Sequence, residues 1–344
     1  MKKDIAFLAI GQAGGNIGKL FEEQCFKVMY VNTSMEDLNT LLYAKHVYHI
    51  TNGEGAARDR ERAKELLMAD IQDLQNEITK TLSEEFIFVI FSAGGGTGSG
   101  IAPMLMAYMP ELLPDSKICG ITILPSVRES LQTQANAAEC FHELEGLDID
   151  SLFVIDNNGR PDKFAINETF VDLFMNMLKI PGYTDSRGNI DTRDLKDALS
   201  AKGCVMISAL PSIQSSTPKL LDSFRNGIFA QPEPDGKIQY IALSMATEIN
   251  TDAFIKIVGK PLDLFQGYNR ESTVCVLSGL SLPYPRLIGI EALVLEEKSA
   301  MKKVWDVKNP TLSHTNIDLD FMRKREKTRT AKTADEVFSM FCRH

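Results

Sequence analysis

The sequence predicts a doubly wound α/β domain followed by a smaller α/β domain. Two observations lead to this prediction. In the first half, short and continuously apolar runs alternate with longer segments of helical periodicity, which is typical of a parallel sheet covered by helices on both faces. After about Gly203 the pattern of apolar runs and helical segments changes. Shorter helical segments there separate three further apolar runs.

The first domain contains five predicted strands with helical segments between them. The stretch GQAGGNIGKLFEEQ opens a helix directly after the first strand. Ala56–Leu82 carries leucine and isoleucine at helical spacing, and further helices follow Ser99 and span Gln132–Leu144. The predicted strands are Ile5–Ile10, Val28–Asn32, Phe86–Phe91, Ile118–Leu124 and Ser151–Asp156.

The second domain is predicted from the strands CVMISAL, IQYIALSM and TVCVLSGL and from three helices between and after them. These helices lie near Pro218–Phe229, Asp252–Val258 and Arg286–Glu297. A central helix, Thr192–Ala201, joins the two domains after a loop rich in Gly, Pro and Asp. The predicted boundaries are 1–185 for the first domain, 186–203 for the loop and central helix, 204–297 for the second domain and 298–344 for a C-terminal helix and basic tail.

Composition narrows the classes of function. The chain has 344 residues, and its net charge of −9 argues against a protein that coats nucleic acid. Six scattered cysteines without a C-x-x-C pair, and histidines without ligand spacing, predict reduced thiols and no metal site. The start, MKKDIAFLAIG, mimics a signal peptide, but Asp4 interrupts a short apolar run. With no apolar stretch of about 18 residues, we expect a cytoplasmic protein without a membrane contact.

Two glycine-rich loops are the strongest functional signal. GQAGGNIG, Gly11 to Gly18, follows the first strand, and AGGGTGSG, Ala93 to Gly100, follows FIFVIF. A loop between a strand and a helix exposes backbone N–H groups at the positive end of a helix dipole, where phosphates bind. One such loop alone can be a tight turn. Two at the carboxyl ends of strands predict a phosphate site, although neither is a P-loop because no G-K-[ST] follows.

The second loop also carries a family resemblance. GGGTGSG at Gly94 to Gly100 resembles the signature of the tubulin and FtsZ superfamily, and other segments resemble its loops in the same order. These segments are GQAGGN, VNTS, TNGEGAARD, VIDNNG and GNIDTRDLKDAL. The resemblance covers roughly residues 4 to 300. It implies a GTPase that binds GTP or GDP with Mg²⁺, with residues 1–185 as the GTP-binding domain and 204–297 as the activation domain.

The resemblance also implies roles for individual residues. A phosphate cradle would surround the α- and β-phosphates, and a second loop would close around the γ-phosphate. Asn16 would reach the guanine edge, Glu129 and Asn157 the ribose, and Phe170 and Asn176 the base. Thr133 stands where FtsZ has an arginine. The cradle comprises Gly11, Gln12, Ala13, Gly94, Gly95, Gly96, Thr97 and Gly98, and the γ-phosphate loop comprises Gly53, Gly55, Ala56 and Ala57.

Asp191 and Asp194 are the predicted catalytic pair. They lie three apart at a predicted helix start, so their carboxylates share one side of its first turn. Acidic residues also cap helices routinely, and this second interpretation stays open from the residues alone. The pattern N-x-D-x-x-D resembles the family loop that enters the next subunit's nucleotide site. The resemblance therefore implies a site completed at a head-to-tail contact, and such contacts build filaments.

The C-terminal part resembles one subgroup, the TubZ tubulins of plasmids and phages. The chain ends neither in an acidic tail nor in the apolar-acidic peptide of FtsZ. GKPLDLFQGYN and FMNM also resemble this subgroup, whose filaments move DNA through a DNA-binding adaptor. Residues 298–344 have 11 Lys and Arg against 6 Asp and Glu, so the run Arg323 to Lys332 is either an adaptor contact or a solvated tail. No direct sequence-specific DNA binding is expected.

Three alternatives remain at this stage. One is an FtsZ-like division GTPase. Another is a dinucleotide-dependent oxidoreductase on a Rossmann sheet, although its second strand ends in VNTS with no acidic residue until Glu36. The third is a filament protein that binds GTP without hydrolysing it, against which the retention of Asp191 and Asp194 argues.

Overall fold

The computed structural model describes residues 1–159, 162–234 and 236–308, and the predicted basic run Arg323 to Lys332 lies outside them. Within these ranges, no helix is both long and apolar enough to cross a membrane. The strands are β1 Ile5–Ile10, β2 Lys27–Asn32, β3 His46–His49, β4 Phe86–Ser92, β5 Lys117–Leu124, β6 Ser151–Asp156, β7 Gly203–Pro211, β8 Tyr240–Met245, β9 Asp263–Tyr268 and β10 Ser272–Leu280. The helices are α1 Gly11–Glu23, α2 Met35–Asn39, α3 Arg60–Thr81, α4 Thr97–Leu112, α5 Leu131–Leu144, α6 Lys163–Lys179, α7 Thr192–Leu199, α8 Thr217–Arg225, α9 Thr251–Val258 and α10 Tyr284–Lys308.

All ten described strands form one mixed sheet, in the order β3-β2-β1-β4-β5-β6-β7-β10-β8-β9. The strands β1 to β7 pair in parallel, whereas β10 lies antiparallel between β7 and β8. The α/β fold predicted from the alternating runs is confirmed. The strands of the predicted second domain continue the same sheet, because β7 pairs with the start of β6 from Ser151↔Gly203 to Phe153↔Val205.

The helix at the junction differs from the prediction. The sequence placed a single joining helix at Thr192–Ala201, and the structure has the shorter α7 there. Before it, the 17-residue α6 lies on the sheet where the parallel and antiparallel strands meet, in contact with β7, β10 and α1. The sequence analysis did not identify α6, and it is this helix that joins the two halves of the sheet.

An aromatic cluster holds α1 and α6 against the sheet. The ring of Phe7 on β1 stacks on Phe21 of α1 at a centroid distance of 3.9 Å, and Phe174 of α6 lies 5.2 Å from Phe21. Phe88 and Phe153 extend the cluster across β4 and β6. Burying several aromatic side chains stabilises the fold by about 1.5–3 kcal/mol each. The cluster therefore fixes α1, whose first turn forms the first glycine loop, and the neighbouring α6 against the sheet.

Candidate nucleotide site

The two predicted phosphate loops lie side by side. They follow the adjacent parallel strands β1 and β4, so α1 and α4 begin at the same edge of the sheet. Gly11 has a φ of +71°, and a Cβ atom there would lie 3.3 Å from the amide nitrogen of Gly98. The first-turn N–H groups of a helix have no partner within the helix, and they carry its positive dipole end. Two such ends in contact create a cradle for an anion such as a polyphosphate.

The predicted cradle residues lie in the first turn of α1 and in the loop and first turn of α4. Gly11, Gly94, Gly96 and Gly98 are buried in the loops, while Gln12 is exposed and Gly95 and Thr97 are partly exposed. Gln12 and Asn16 border a small cavity between α1 and α2, together with Asn32 and Asp37. Asn16 is thus on the α1 face that turns toward the VNTS loop, where a base or ribose could approach.

A hydroxyl pair joins the VNTS loop to the cradle. The Oγ1 atoms of Thr33 and Thr97 are 2.7 Å apart, and Thr33 is fully buried. The amide of Gly55 donates to the carbonyl of Thr33 at 2.8 Å, which brings the predicted γ-phosphate loop to the same place. Three segments that are far apart in the sequence therefore converge at the start of α4.

The predicted γ-phosphate loop has a strained turn at its end. Ala57 and Arg58 have φ values of 47° and 65°, in the left-handed region that costs an L-residue about 1–2 kcal/mol. The turn presses on Gly96, where a Cβ atom would lie 2.8 Å from the Cα of Arg58. Only glycine at position 96 leaves room for this contact, so the glycine-rich loop and the γ-phosphate loop have complementary surfaces.

The sequence analysis missed Asn136 in α5, which links these two loops. Its side-chain nitrogen donates to the carbonyl of Arg58 at 2.9 Å and to those of Gly94 and Gly95 at 3.3 and 3.0 Å. The side chain is buried, with 1% of the residue exposed. No local signal marks this role, because the acceptors of the side-chain nitrogen are backbone carbonyls at least 41 positions away.

The predicted ribose residues lie at the ends of β5 and β6. The carboxylate of Glu129 accepts from Lys163 at 2.9 Å and from the amide of Ser126 at 3.1 Å. Asn157 is 7% exposed, and its Oδ1 has no hydrogen-bond partner among the described residues. A buried amide oxygen without a partner is costly, so a ligand hydroxyl group would satisfy it.

An arginine from α10, also missed, supports both ribose loops. The Nε of Arg286 donates to Asp156 at 3.0 Å, and its Nη2 donates to the carbonyl of Pro125. Asp156 immediately precedes Asn157, and Pro125 precedes the loop that carries Glu129. The C-terminal helix therefore contributes directly to the geometry of the candidate ribose site.

The two predicted base contacts on α6 are wrong. Phe170 is fully buried and its ring packs among Phe21, Phe153, Phe174 and Phe229, so it belongs to the core. The side chain of Asn176 forms bonds along its own helix, and it lies 13 residues, or about 20 Å, from the first turn of α6. That first turn is tied to Glu129 through Lys163.

The first turn of α6 presents a different ring. Phe164 follows Lys163 and is 66% exposed. An exposed aromatic side chain next to a ribose-side contact is placed to stack on a base, whereas the ring of Phe170 is enclosed. The sequence signal for Phe164 is the helix start that follows VIDNNG.

The predicted catalytic acids lie at the other end of the same strands. Lys196 in α7 bonds to Asp4 and Glu85, which immediately precede β1 and β4. The glycine loops follow the carboxyl ends of these strands, and a strand of six residues spans about 20 Å. Asp191 and Asp194 at the start of α7 are therefore far from the phosphate cradle of their own chain.

Both acids also cap α7. The carboxylate of Asp191 accepts from the amides of Arg193 and Asp194 at 2.7 and 2.9 Å, and Asp194 accepts from the amide of Asp191 at 2.9 Å. This is a complete capping box. Asp191 is exposed and Asp194 partly exposed, so capping leaves room for a second role at the surface.

The loop before α7 is anchored on β9, which lies in the stretch GKPLDLFQGYN. The amide of Tyr268 donates to the carbonyl of Gly188 at 3.1 Å, and the guanidinium of Arg187 lies 4.3 Å from the centre of the Tyr268 ring. Hydrogen bonds from Arg187 lower the pKa of Asp185 to about 2. Strand β9 thus sets the position of the loop that ends in Asp191.

Comparison with known proteins assigns the class. Residues 4–161 match the model of the GTPase domain of the tubulin/FtsZ family. This match confirms the resemblance to the tubulin/FtsZ family and supports a GTPase domain at residues 4–161 rather than the oxidoreductase alternative.

The similarity to individual relatives extends further along the chain. The tubulin-like protein TubZ of a Clostridium botulinum C phage is 27% identical over 328 residues, which cover 93% of this chain and 90% of that protein. The crystal structure of Clostridium botulinum phage c-st TubZ has a TM-score of 0.79 at 25% identity and covers 87% of this chain and 100% of that chain. A GTPγS-form protofilament of Bacillus thuringiensis serovar israelensis TubZ has a TM-score of 0.71 at 16% identity, covers 87% and 93%, and shows similarity of fold alone.

Proposed function

We propose that this chain hydrolyses GTP in a site shared by two copies stacked head to tail, and that the resulting filament moves DNA. One observation carries the shared site. The phosphate cradle and the acid pair lie at opposite ends of β1 and β4, so one chain cannot bring them together. Stacking two copies along this direction would bring the acids of one copy to the cradle of the next. The protofilament form of the Bacillus thuringiensis relative supports this arrangement.

The proposed roles within the shared site are as follows. The backbone N–H groups of the cradle bind the phosphates and stabilise the charge that develops during phosphoryl transfer. Asp191 and Asp194 polarise and orient the attacking water. Mg²⁺ would be held mainly by phosphate oxygens and water, with the Thr97 hydroxyl group nearby, and it would neutralise negative charge. Asn16 and Phe164 are the proposed base contacts, and Glu129 and Asn157 the ribose contacts.

Charge removal at the acid pair tests the shared site. Asp191→Asn keeps an effective helix cap but loses the charge, so α7 should stay folded. We expect this variant to bind GTP and assemble, and to hydrolyse it at least about tenfold more slowly, which corresponds to about 1.4 kcal/mol of barrier. The matched control is Asp197→Asn on the same helix. This substitution changes only the ion pair of Asp197 with Arg193.

Phosphate release per molecule is measured across protein concentrations. In the wild-type chain it should rise with concentration, because each site needs two copies. A specific activity that stays constant from dilute to concentrated protein, or an unchanged turnover in assembled Asp191→Asn, would contradict the proposal.

DNA movement is proposed from the similarity to TubZ and from the basic C-terminal run. A cationic segment on a chain of net charge −9 attracts an acidic surface, such as an adaptor–DNA complex, and salt weakens this attraction. Truncation after Ile317 should leave GTP binding intact and abolish co-sedimentation of the adaptor–DNA complex with preformed filaments at low salt. If truncated filaments carry down as much of the complex, the run is a solvated tail.

A further inference from the structure

The side chain of Asn136 forms an unusual junction between two loops. Its amide nitrogen has two hydrogens and lies within 2.9–3.3 Å of three carbonyl oxygens, on Arg58, Gly94 and Gly95. Its Oδ1 accepts from the side chain of Gln132 at 2.9 Å, which fixes the orientation of the amide. All three carbonyls therefore share the two hydrogens of one amide group.

The loop that Asn136 holds is the one with the left-handed turn. Ala57 and Arg58 both have positive φ, and such a turn persists only where its surroundings hold it in place. A second contact from α5 acts on the same turn, since the guanidinium of Arg58 donates to the Oγ of Ser130 at 3.1 Å. The side of the turn away from α5 remains exposed at Ala57.

We propose that Asn136 is a positioning residue that holds residues 53–58 ready for the γ-phosphate, so that the preference for GTP over GDP depends on it. This inference rests on the proposed role of that loop at the γ-phosphate. The amide joins the γ-phosphate loop to the cradle that binds the α- and β-phosphates, and so it sets the distance between the two. It touches no phosphate itself, because its donors are used by the three carbonyls.

The sharpest substitution is Asn136→Asp, which has nearly the same shape. An ionised carboxylate has no hydrogen to donate and would face three carbonyl oxygens, so the loop should be released. The matched control is Asn76→Asp, the same chemical change at an exposed position of α3. Asn136→Ser, which is neutral and keeps one donor, provides the same test if the aspartate variant does not fold.

The measurement compares two nucleotides on the full chain. Binding of GTPγS and of GDP is followed by displacement of a fluorescent guanine nucleotide, at a protein concentration below assembly. For Asn136→Asp we expect GTPγS to bind at least tenfold more weakly and GDP to change by less than threefold. Amide hydrogen exchange at Gly53, Gly55 and Asp59 should accelerate in the nucleotide-free variant, because their bonds to nearby carbonyls hold the loop closed.

The outcomes separate this inference from the proposed function. If the wild-type chain prefers GTPγS and the variants keep the same ratio of affinities, Asn136 does not position the loop. An equal loss for both nucleotides also overturns the inference, since it indicates a general structural role. If the wild-type chain itself binds GTPγS and GDP equally, the assignment of residues 53–58 to the γ-phosphate fails, and the inference fails with it.

Discussion

Replacing Arg286 with alanine should weaken the recognition of ribose specifically. The guanidinium donates to the Asp156 carboxylate and to the Pro125 carbonyl, at the ends of the two loops that carry Asn157 and Glu129. The side chains of Arg286 and Asp156 are only 13% and 18% exposed, so this ion pair is screened less than a surface pair. Without the arginine, both loops lose their common support.

The magnitude follows from the contacts that depend on it. A hydrogen bond contributes about 1 kcal/mol net, and two ribose contacts would therefore contribute about 2 kcal/mol. We expect Arg286→Ala to lower the affinity for GTP by about 10- to 30-fold. A nucleotide without ribose hydroxyl groups does not make these two contacts. The affinity of Arg286→Ala for 2′,3′-dideoxy-GTP should therefore be at most about threefold lower than that of the wild-type chain.

The assay is competitive displacement of a fluorescent guanine nucleotide by GTP and by its dideoxy analogue. Arg225→Ala, at an exposed position of α8, is the control for loss of an arginine. Arg286→Lys keeps the charge but can replace only one of the two bonds well, so it should show an intermediate loss. An equal loss for both nucleotides in Arg286→Ala would refute the reasoning, because it would show that the ribose loops do not depend on this side chain.

Four further predictions test the site, the core, the loop before α7 and the buried thiols. Phe164→Ala should weaken GTP binding about fivefold or more, as expected for a lost stacking contact, with little change in melting temperature. Phe170→Ala should instead cost about 3–5 kcal/mol of unfolding free energy, measured by urea titration. A Cβ atom at Gly267 would lie 3.1 Å from the backbone nitrogen of Ile190, which directly precedes Asp191, so Gly267→Ala should slow hydrolysis in filaments while GTP binding stays unchanged. In a Cys342→Ser chain at pH 8, only Cys25 should react rapidly with a thiol reagent. Burial raises the pKa of each of the four other described thiols. Rapid reaction of a second thiol would contradict this packing.

Eight of the ten described strands and both glycine loops were predicted from the sequence because each is encoded locally, whereas β3 and β9 were not predicted. Ser151–Asp156 is an apolar run bounded by polar residues, and the structure reproduces it without a shift. The loops after β1 and β4 are recognisable because glycine is needed where backbones approach each other closely, as at Gly96 against Arg58. These features need no knowledge of distant partners.

The base contact was wrong because two phenylalanines on one helix differ only in direction. At about 100° per residue, Phe164 lies about 120° around α6 from Phe170, whereas Phe174 lies within about 40° of it. Phe170 and Phe174 therefore share the core face, and Phe164 lies outside it. Recognising this required the bounds of α6, which the sequence analysis did not predict.

Asn136 and Arg286 were beyond sequence reasoning for a different reason. Their partners are mostly backbone carbonyls, which every residue has, and they lie between 41 and 161 positions away. The position of the acids of α7 also depends on contacts between residues far apart in the sequence. Their separation from the cradle follows from the ion pairs of Lys196 with Asp4 and Glu85. Only the folded chain shows which ends of β1 and β4 these groups occupy.

Helix α10 connects the ribose loops to a distant part of the molecule. Arg286 in its first turn forms hydrogen bonds to the ends of the ribose loops. The helix continues to Lys308, 22 residues or about 33 Å further on. A tilt of this helix about its first turn would therefore displace the guanidinium of Arg286, and with it the ends of the two ribose loops at Asp156 and Pro125.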